Sequence, residues 1–293
     1  MTTIIDYVQG AVAPLRADLT PADALALCAL VNVDFHALPG PRSARGCALR
    51  EVARASSIRA LYRHAMVTHR DRPLLEAVGA SPRFRDLLVR HAVTRLVSRP
   101  LAQFGAATFV DGSGAAYVVF RGTDASSVGF AEDARFGLDF PTDSQRWAAR
   151  YLRFAAEHAS GPVSVLGHSK GGNLALYAAA AATPGSLEHV YACDPVGFPA
   201  QVVDSGLFSG IAALTSAYVT AGSWVSPLLP LPVPTTVVDS SWPGPLSHNP
   251  YAWLTQGPQL RRDSRDRSRS GALLARVLHL ALRVRPTRIN EPR

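Results

Sequence analysis

The chain has 293 residues, 47% of them hydrophobic and 18% charged, which excludes a disordered or fibrous chain and leaves ample material for a buried core. Three cysteines without motif spacing exclude a disulfide framework and predict a reducing, cytoplasmic setting. The net charge of +8 is concentrated between Arg261 and Arg293, where ten arginines face Asp263, Asp266 and Glu291, so the remainder is close to neutral and its basicity says nothing about a substrate.

The first hundred residues read as mainly helical. Thr20 is a predicted N-cap with Pro21 at the first helical position, and Ala22 to Phe35 follows with Leu25, Leu27, Leu30 and Val31 on its buried side. Helical patterns recur at Cys47 to Val67 and Pro82 to Val97. The N-terminus lacks a basic segment before an apolar core, so no signal peptide is expected. The longest uncharged stretch, Ser205 to Val238, is broken by Gly, Ser, Thr and four prolines, so no spanning helix is expected.

From Leu101 the period changes. Ala107 to Val110, a turn with two glycines, and Ala115 to Phe120 read as a β-hairpin. The continuously apolar Tyr117 to Phe120 predicts a strand buried on both faces, running into Arg121-Gly122-Thr123-Asp124. A loop carrying Glu132 and Asp133 follows, then a helix capped by Asp143 and running to His158. Further strands are expected at Val163–Leu166, His189–Cys193, Ser216–Thr220 and Thr235–Asp239, with a helix over Gln201–Leu214. Strands alternating with helices predict a mostly parallel sheet covered on both faces, an α/β fold. The expected organisation is a helical region over residues 1–100 packed on a core of residues 101–260, with a basic tail over 261–293. Within the tail, Arg261 to Ser270 reads as disordered, and Gly271 to Val284 as a short, imperfectly amphipathic helix.

The chemistry centres on Gly167-His168-Ser169-Lys170-Gly171, a match to G-x-S-x-G. A strand before it and an Ala/Leu-rich helix after it predict a nucleophile elbow, a strained turn that presents Ser169 at a helix N-terminus. Lys170 is the only lysine among the 30 basic residues. As a side chain it reads either as a solvated helix-start residue or as one chosen for its compact charge. Its backbone N–H, following the nucleophile, is one candidate oxyanion donor. The loop after the hairpin supplies the second candidate, Thr123, by N–H or hydroxyl, with Arg121 and Asp124 expected to fix that loop by pairing.

A serine hydroxyl needs a base. Of the downstream histidines, His189 begins a strand and His279 lies in the tail, whereas His248 sits in the loop after the last strand, where the base belongs. His168 is expected to pack against the site. The favoured acid is Asp194, which ends a strand at the sheet edge of Ser169, with Asp239, closer to His248 in sequence, as the alternative.

The runs V-V-F-R-G-T-D, G-H-S-K-G-G-N-L-A, V-Y-A-C-D-P-V-G-F and S-H-N-P-Y-A-W, with N-terminal T-I-I-D-Y and D-A-L-A-L-C-A-L-V-N-V-D-F, resemble the Mbeg-like family over about Thr3 to Gln256. That family is similar to the class 3 lipases. The resemblance implies an α/β-hydrolase fold with Ser169 as nucleophile, His248 as base and Thr123 as oxyanion residue. One departure stands out. Class 3 lipases carry their acid after the strand that here ends near Thr220, and Ala221 to Ser226 holds no carboxylate. The acid is relocated or absent.

Two functions follow. One is a serine hydrolase acting on carboxylic, lipid or other acyl esters, without metal or cofactor. The other is a weakly active or non-catalytic hydrolase-fold protein binding lipid or a partner surface. The basic tail predicts peripheral contact with an anionic membrane, and its lack of Phe, Tyr and Trp argues against nucleic acid.

Overall fold

The computed structural model describes residues 2–263 apart from 17, 64, 100, 125 and 134, together with the backbone of residues 288 and 289. The expected tail helix over Gly271 to Val284 lies outside the described residues. In chain order the elements are β1 (Thr2–Thr3), α1 (Ile4–Gly10), α2 (Pro21–Leu30), α3 (Pro39–Arg42), β2 (Cys47–Ala48), α4 (Leu49–Arg54), α5 (Thr68–Ala80), β3 (Leu88–Ser98), β4 (Leu101–Val110) and β5 (Ala116–Phe120). They continue with α6 (Ser127–Asp133), β6 (Asp139–Phe140), α7 (Asp143–Glu157), β7 (Val163–His168), α8 (Lys170–Ala180), β8 (His189–Cys193), α9 (Ala200–Asp204), β9 (Thr215–Thr220), β10 (Thr235–Val238), β11 (Leu254–Gln256) and β12 (Gln259–Leu260).

Eight strands form one sheet in the order β10-β9-β8-β7-β5-β4-β3-β2. The five from β5 to β10 in this sheet are parallel, and β2 to β5 pair antiparallel. The C-terminal ends of β5, β7 and β8 therefore meet at one edge, where an open α/β sheet gathers its ligand-facing groups. Period-two alternation divides the core. Tyr117, Val119 and Leu166 face the layer built from α1, α2, α4 and α5, whereas Val118, Phe120 and Val165 face α7 and α8. This mostly parallel sheet, covered on both sides and carrying a sharp turn after β7, is an α/β-hydrolase fold.

The helix at Pro21 has the expected start. Thr20 accepts the Asp23 N–H, and Pro21 occupies the first turn. It is not one-sided, however: Ala22 to Leu30 are all buried. The helix is sandwiched between the sheet and the other N-terminal helices, so an apolar stripe alone understates its burial. Its one carboxylate, Asp23, is fully buried and takes a two-pronged contact from Arg83, at 2.7 Å on each oxygen, plus the Tyr7 hydroxyl at 2.8 Å. A buried carboxylate needs such partners.

The expected helix over Pro82–Val97 is a strand, β3. Its ladder with β4 is interrupted between Arg90 and Val93, where His91 takes φ +53°. This bulge breaks the two-residue alternation. Apolar residues then recur four apart, at Leu88, Ala92 and Leu96 and at Val89, Val93 and Val97, a spacing that imitates a helix. Cys47–Val67 is likewise not one helix but β2, α4 and a 3-10 turn at Arg59–Tyr62. The helix over Gln201–Leu214 divides into α9 and a 3-10 turn at Ser209–Leu214. The long helix is capped by Thr142, not Asp143. The first hundred residues thus add two strands to the sheet and share a core with Tyr251, Trp253 and β12. Among the described residues, no helix is long and apolar enough to cross a membrane.

Candidate active site

Ser169 sits between β7 and α8 at φ +58° and ψ −127°, a conformation L-residues rarely adopt. The flanking glycines make the turn possible. A Cβ on Gly167 would overlap the Gly171 carbonyl, and one on Gly171 would overlap the Phe120 carbonyl. The turn is tied to its neighbour, since the Ser169 N–H donates to the Cys193 carbonyl at 2.9 Å and the Val196 N–H to the Ser169 carbonyl at 3.3 Å.

His248 ends a 3-10 turn, Gly244–His248. Its Nε2 lies 3.1 Å from Ser169 Oγ and its Nδ1 lies 2.7 Å from Asp194 Oδ2. A carboxylate can only accept, so Nδ1 carries the proton and Nε2 is left to accept from the Ser169 hydroxyl. Asp194 is fully buried and itself has φ +42°. Two of the three non-glycine residues with positive φ among those described are therefore in this cluster, the pattern expected where strain aims side chains. Of the two acid candidates, the structure brings Asp194 to His248. Asp239 instead accepts from Arg261 Nε at 2.7 Å.

The loop bearing His248 is held from several directions. Ser247 Oγ meets Thr220 Oγ1 at 2.8 Å, and Trp253 Nε1 donates to the Ser247 carbonyl at 3.0 Å. The Tyr251 hydroxyl donates to Asp71 at 2.7 Å, anchoring the loop to α5. His168, expected to pack against the site, stacks at 4.6 Å between ring centroids and sets its Nε2 2.8 Å from the His248 carbonyl. Burial, aided by the neighbouring His248, pushes the His168 pKa down to about 3. It is neutral at working pH, with Nε2–H donating to that carbonyl.

This depressed pKa has a consequence for stability. As pH falls through about 6.5 the unfolded chain protonates His168 and the folded chain does not, so stability present above that pH is lost towards the folded value. Relative to His168→Gln, the wild-type protein should lose about 1.4 kcal/mol per pH unit below 6.5, or roughly 2 kcal/mol by pH 5. Urea unfolding of both proteins at pH 6.5 and pH 5 measures it; parallel losses would contradict the assignment.

Thr123 follows Gly122, where an added Cβ would stand 3.1 Å from the His168 carbonyl, so the loop after β5 runs beside the elbow. The Thr123 hydroxyl donates to Asp133 Oδ2 at 2.7 Å, which leaves its N–H as the group able to face a substrate. Lys170 occupies the first position of α8, where an amide has no partner within the helix. Its side chain is not solvated. Nζ is fully buried against Glu132 and both oxygens of Gln103. Arg121 and Asp124 do not pair as expected. Arg121 donates to Thr94 at 2.8 Å and lies 3.9 Å from Asp34, while Asp124 accepts from the Ser126 N–H and hydroxyl.

Two contributors went unread in the sequence. Asn173 is fully buried in α8 and donates to the Val196 and Gly197 carbonyls, fixing the turn after Asp194. Gln103 joins Lys170, Glu132 and the Gly122 carbonyl. A polar residue inside an otherwise apolar strand or helix was the available signal for each. Among the described residues, no group of three His, Cys, Asp or Glu side chains could hold a metal ion. The arrangement has the parts for nucleophilic attack by a serine, with proton transfer to an oriented imidazole and two backbone N–H groups beside the elbow.

The chain is similar to the Rhizomucor miehei lipase in its propeptide complex, with 18% identity, 62% of this chain and 61% of that chain covered, and a TM-score of 0.39. It thus spans about three fifths of that lipase chain. It is also similar to a mutant form of MDLA from Penicillium cyclopium (15% identity, 85% and 86% covered, TM-score 0.48) and to M37 lipase (11%, 91% and 80%, 0.47). No curated protein matches the chain. The Mbeg1-like family model matches residues 78–284, from the end of α5 through the elbow and the His248 loop. That span is more than two thirds of the sequence and includes Thr123, Ser169, Asp194 and His248; the chain belongs to the Mbeg1-like family.

Proposed function

We propose that this protein is a serine hydrolase of carboxylic acyl esters. The observation that carries the reading is the continuous relay from Ser169 Oγ through His248 to the buried carboxylate of Asp194, at 3.1 and 2.7 Å. In this mechanism Ser169 attacks the ester carbonyl while His248 Nε2 takes its proton. Asp194 keeps the imidazole in the right tautomer and stabilises the imidazolium. The N–H groups of Thr123 and Lys170 hold the oxyanion. His248 then protonates the leaving alcohol, and water, activated by the same imidazole, releases the acid and restores Ser169.

The surroundings support an apolar acyl group. Trp224 lies edge-on to His248, 6.2 Å between ring centroids, and begins an uncharged segment with Leu228 and Leu229 partly exposed. The lack of a carboxylate after Thr220 would fit a non-catalytic hydrolase-fold protein, whereas the Asp194 contact with His248 Nδ1 supports the catalytic reading. The three free cysteines fit a reducing cytoplasm. Hydrolysis of p-nitrophenyl esters from acetate to palmitate tests the reading. The expected result is turnover well above that of Ser169→Ala and rising beyond the shortest chains; a rate equal to the Ser169→Ala background on every ester would reject it.

A further inference from the structure

The chain uses arginine at every basic position except one, and that lysine follows the candidate nucleophile. Lys170 Nζ has three protons and three acceptors: the Gln103 carbonyl at 2.8 Å, Gln103 Oε1 at 3.0 Å, and Glu132 Oε2. A planar guanidinium fork cannot converge on three acceptors around a single point, which accounts for the exception. Glu132 Oε2 also accepts the Gln103 N–H at 2.7 Å, and Gln103 Nε2 donates to the Gly122 carbonyl at 3.3 Å. The next residue, Asp133, accepts from the Thr123 hydroxyl at 2.7 Å. Two consecutive acids at the end of α6 thus hold, one each, the two residues whose backbone N–H groups flank the elbow.

This is a costly arrangement for stability alone. Lys170 and Glu132 are 0% and 1% exposed along their side chains. Glu132 Oε1 and Asp133 Oδ1 are buried with no hydrogen-bond partner among the described residues. A buried ion pair by itself commonly adds no more stability than an apolar pair of similar volume. Burial of this kind points to geometry as the gain.

Building on the hydrolase reading, we propose that Glu132 and Asp133 are positioning residues of the oxyanion hole, acting through Lys170 and Thr123. With α6 seated, the Lys170 and Thr123 N–H groups are held at the spacing a tetrahedral oxyanion needs. Without either acid, the loop after β5 and the start of α8 drift relative to one another. Oxyanion stabilisation is then lost while ground-state binding is unchanged.

The test pairs two kinds of variant, each assayed on p-nitrophenyl butyrate with active sites counted by a fluorophosphonate. Lys170→Met/Glu132→Leu replaces the buried ion pair with apolar volume. Asp133→Ala removes the acceptor for Thr123, and Asp133→Asn keeps one. Lys170→Met/Glu132→Leu is expected to fold but to melt below the wild-type temperature, because the buried Gln103 carbonyl, Oε1 and N–H lose their partners, and its kcat per labelled site should fall about 10²- to 10³-fold with KM unchanged. Asp133→Ala should fall in the same way and Asp133→Asn should recover most of the rate. Wild-type kcat per labelled site in folded Lys170→Met/Glu132→Leu, or in Asp133→Ala if the former does not fold, overturns the proposal and leaves the hydrolase reading intact. A wild-type protein that neither turns over nor labels overturns both.

Discussion

His248→Ala is expected to lower kcat for ester hydrolysis by about 10⁶-fold, and Asp194→Asn by about 10⁴-fold, the scale on which members of such a relay act. The difference in size has a physical origin. Removing the imidazole leaves Ser169 with no proton acceptor, since His168 is turned to the His248 backbone and stays neutral. Removing only the charge of Asp194 keeps the imidazole present. An asparagine, however, can donate to Nδ1 and so favours the tautomer with the proton on Nε2, facing Ser169. Asp239→Asn should leave kcat within a few-fold, because its carboxylate is engaged with Arg261. Steady-state kinetics of the three variants decides the matter. A larger loss in Asp239→Asn than in Asp194→Asn would move the acid, and small equal losses would leave a relay without one.

The other large effect falls on folding. Gly167→Ala and Gly171→Ala each place a methyl group onto a backbone carbonyl, of Gly171 and Phe120 respectively. Neither carbonyl can retreat, because Phe120 belongs to a central strand and Gly171 to the first turn of α8. The cost should exceed about 4 kcal/mol in each case, in the range where only specific steric or core damage reaches. The expected outcome is little soluble protein, or a melting temperature lowered by many degrees. Gly112→Ala is the control: a Cβ there meets nothing within 4 Å. A soluble Gly171→Ala protein melting like wild type would mean that the elbow is far less tight than described.

Local features of this fold were legible in the sequence, and features set by distant partners were not. The elbow could be read because its strand, glycines and helix are consecutive. His248 followed from chain order, and the Thr20 cap from its immediate neighbours. The sheet-edge position favours Asp194 over Asp239 but does not decide between them, because the decision is made by the left-handed turn at Asp194 and by the Asp239–Arg261 pair, neither of which leaves a periodic mark. The partners of Lys170 lie 67 and 38 residues away, so a buried ion pair was indistinguishable from a solvated helix start. β3 was misread for a related reason. A single bulged residue, His91, shifted the phase of an ordinary strand until it matched a helical repeat.

The central claim is that Ser169 is a nucleophile activated by His248. Mass spectrometry of the protein after treatment with a fluorophosphonate tests it most directly. The account predicts one adduct per chain, on the peptide containing Ser169, absent in Ser169→Ala and slowed by orders of magnitude in His248→Ala. An unlabelled wild-type protein, or equal labelling of Ser169→Ala, would contradict it.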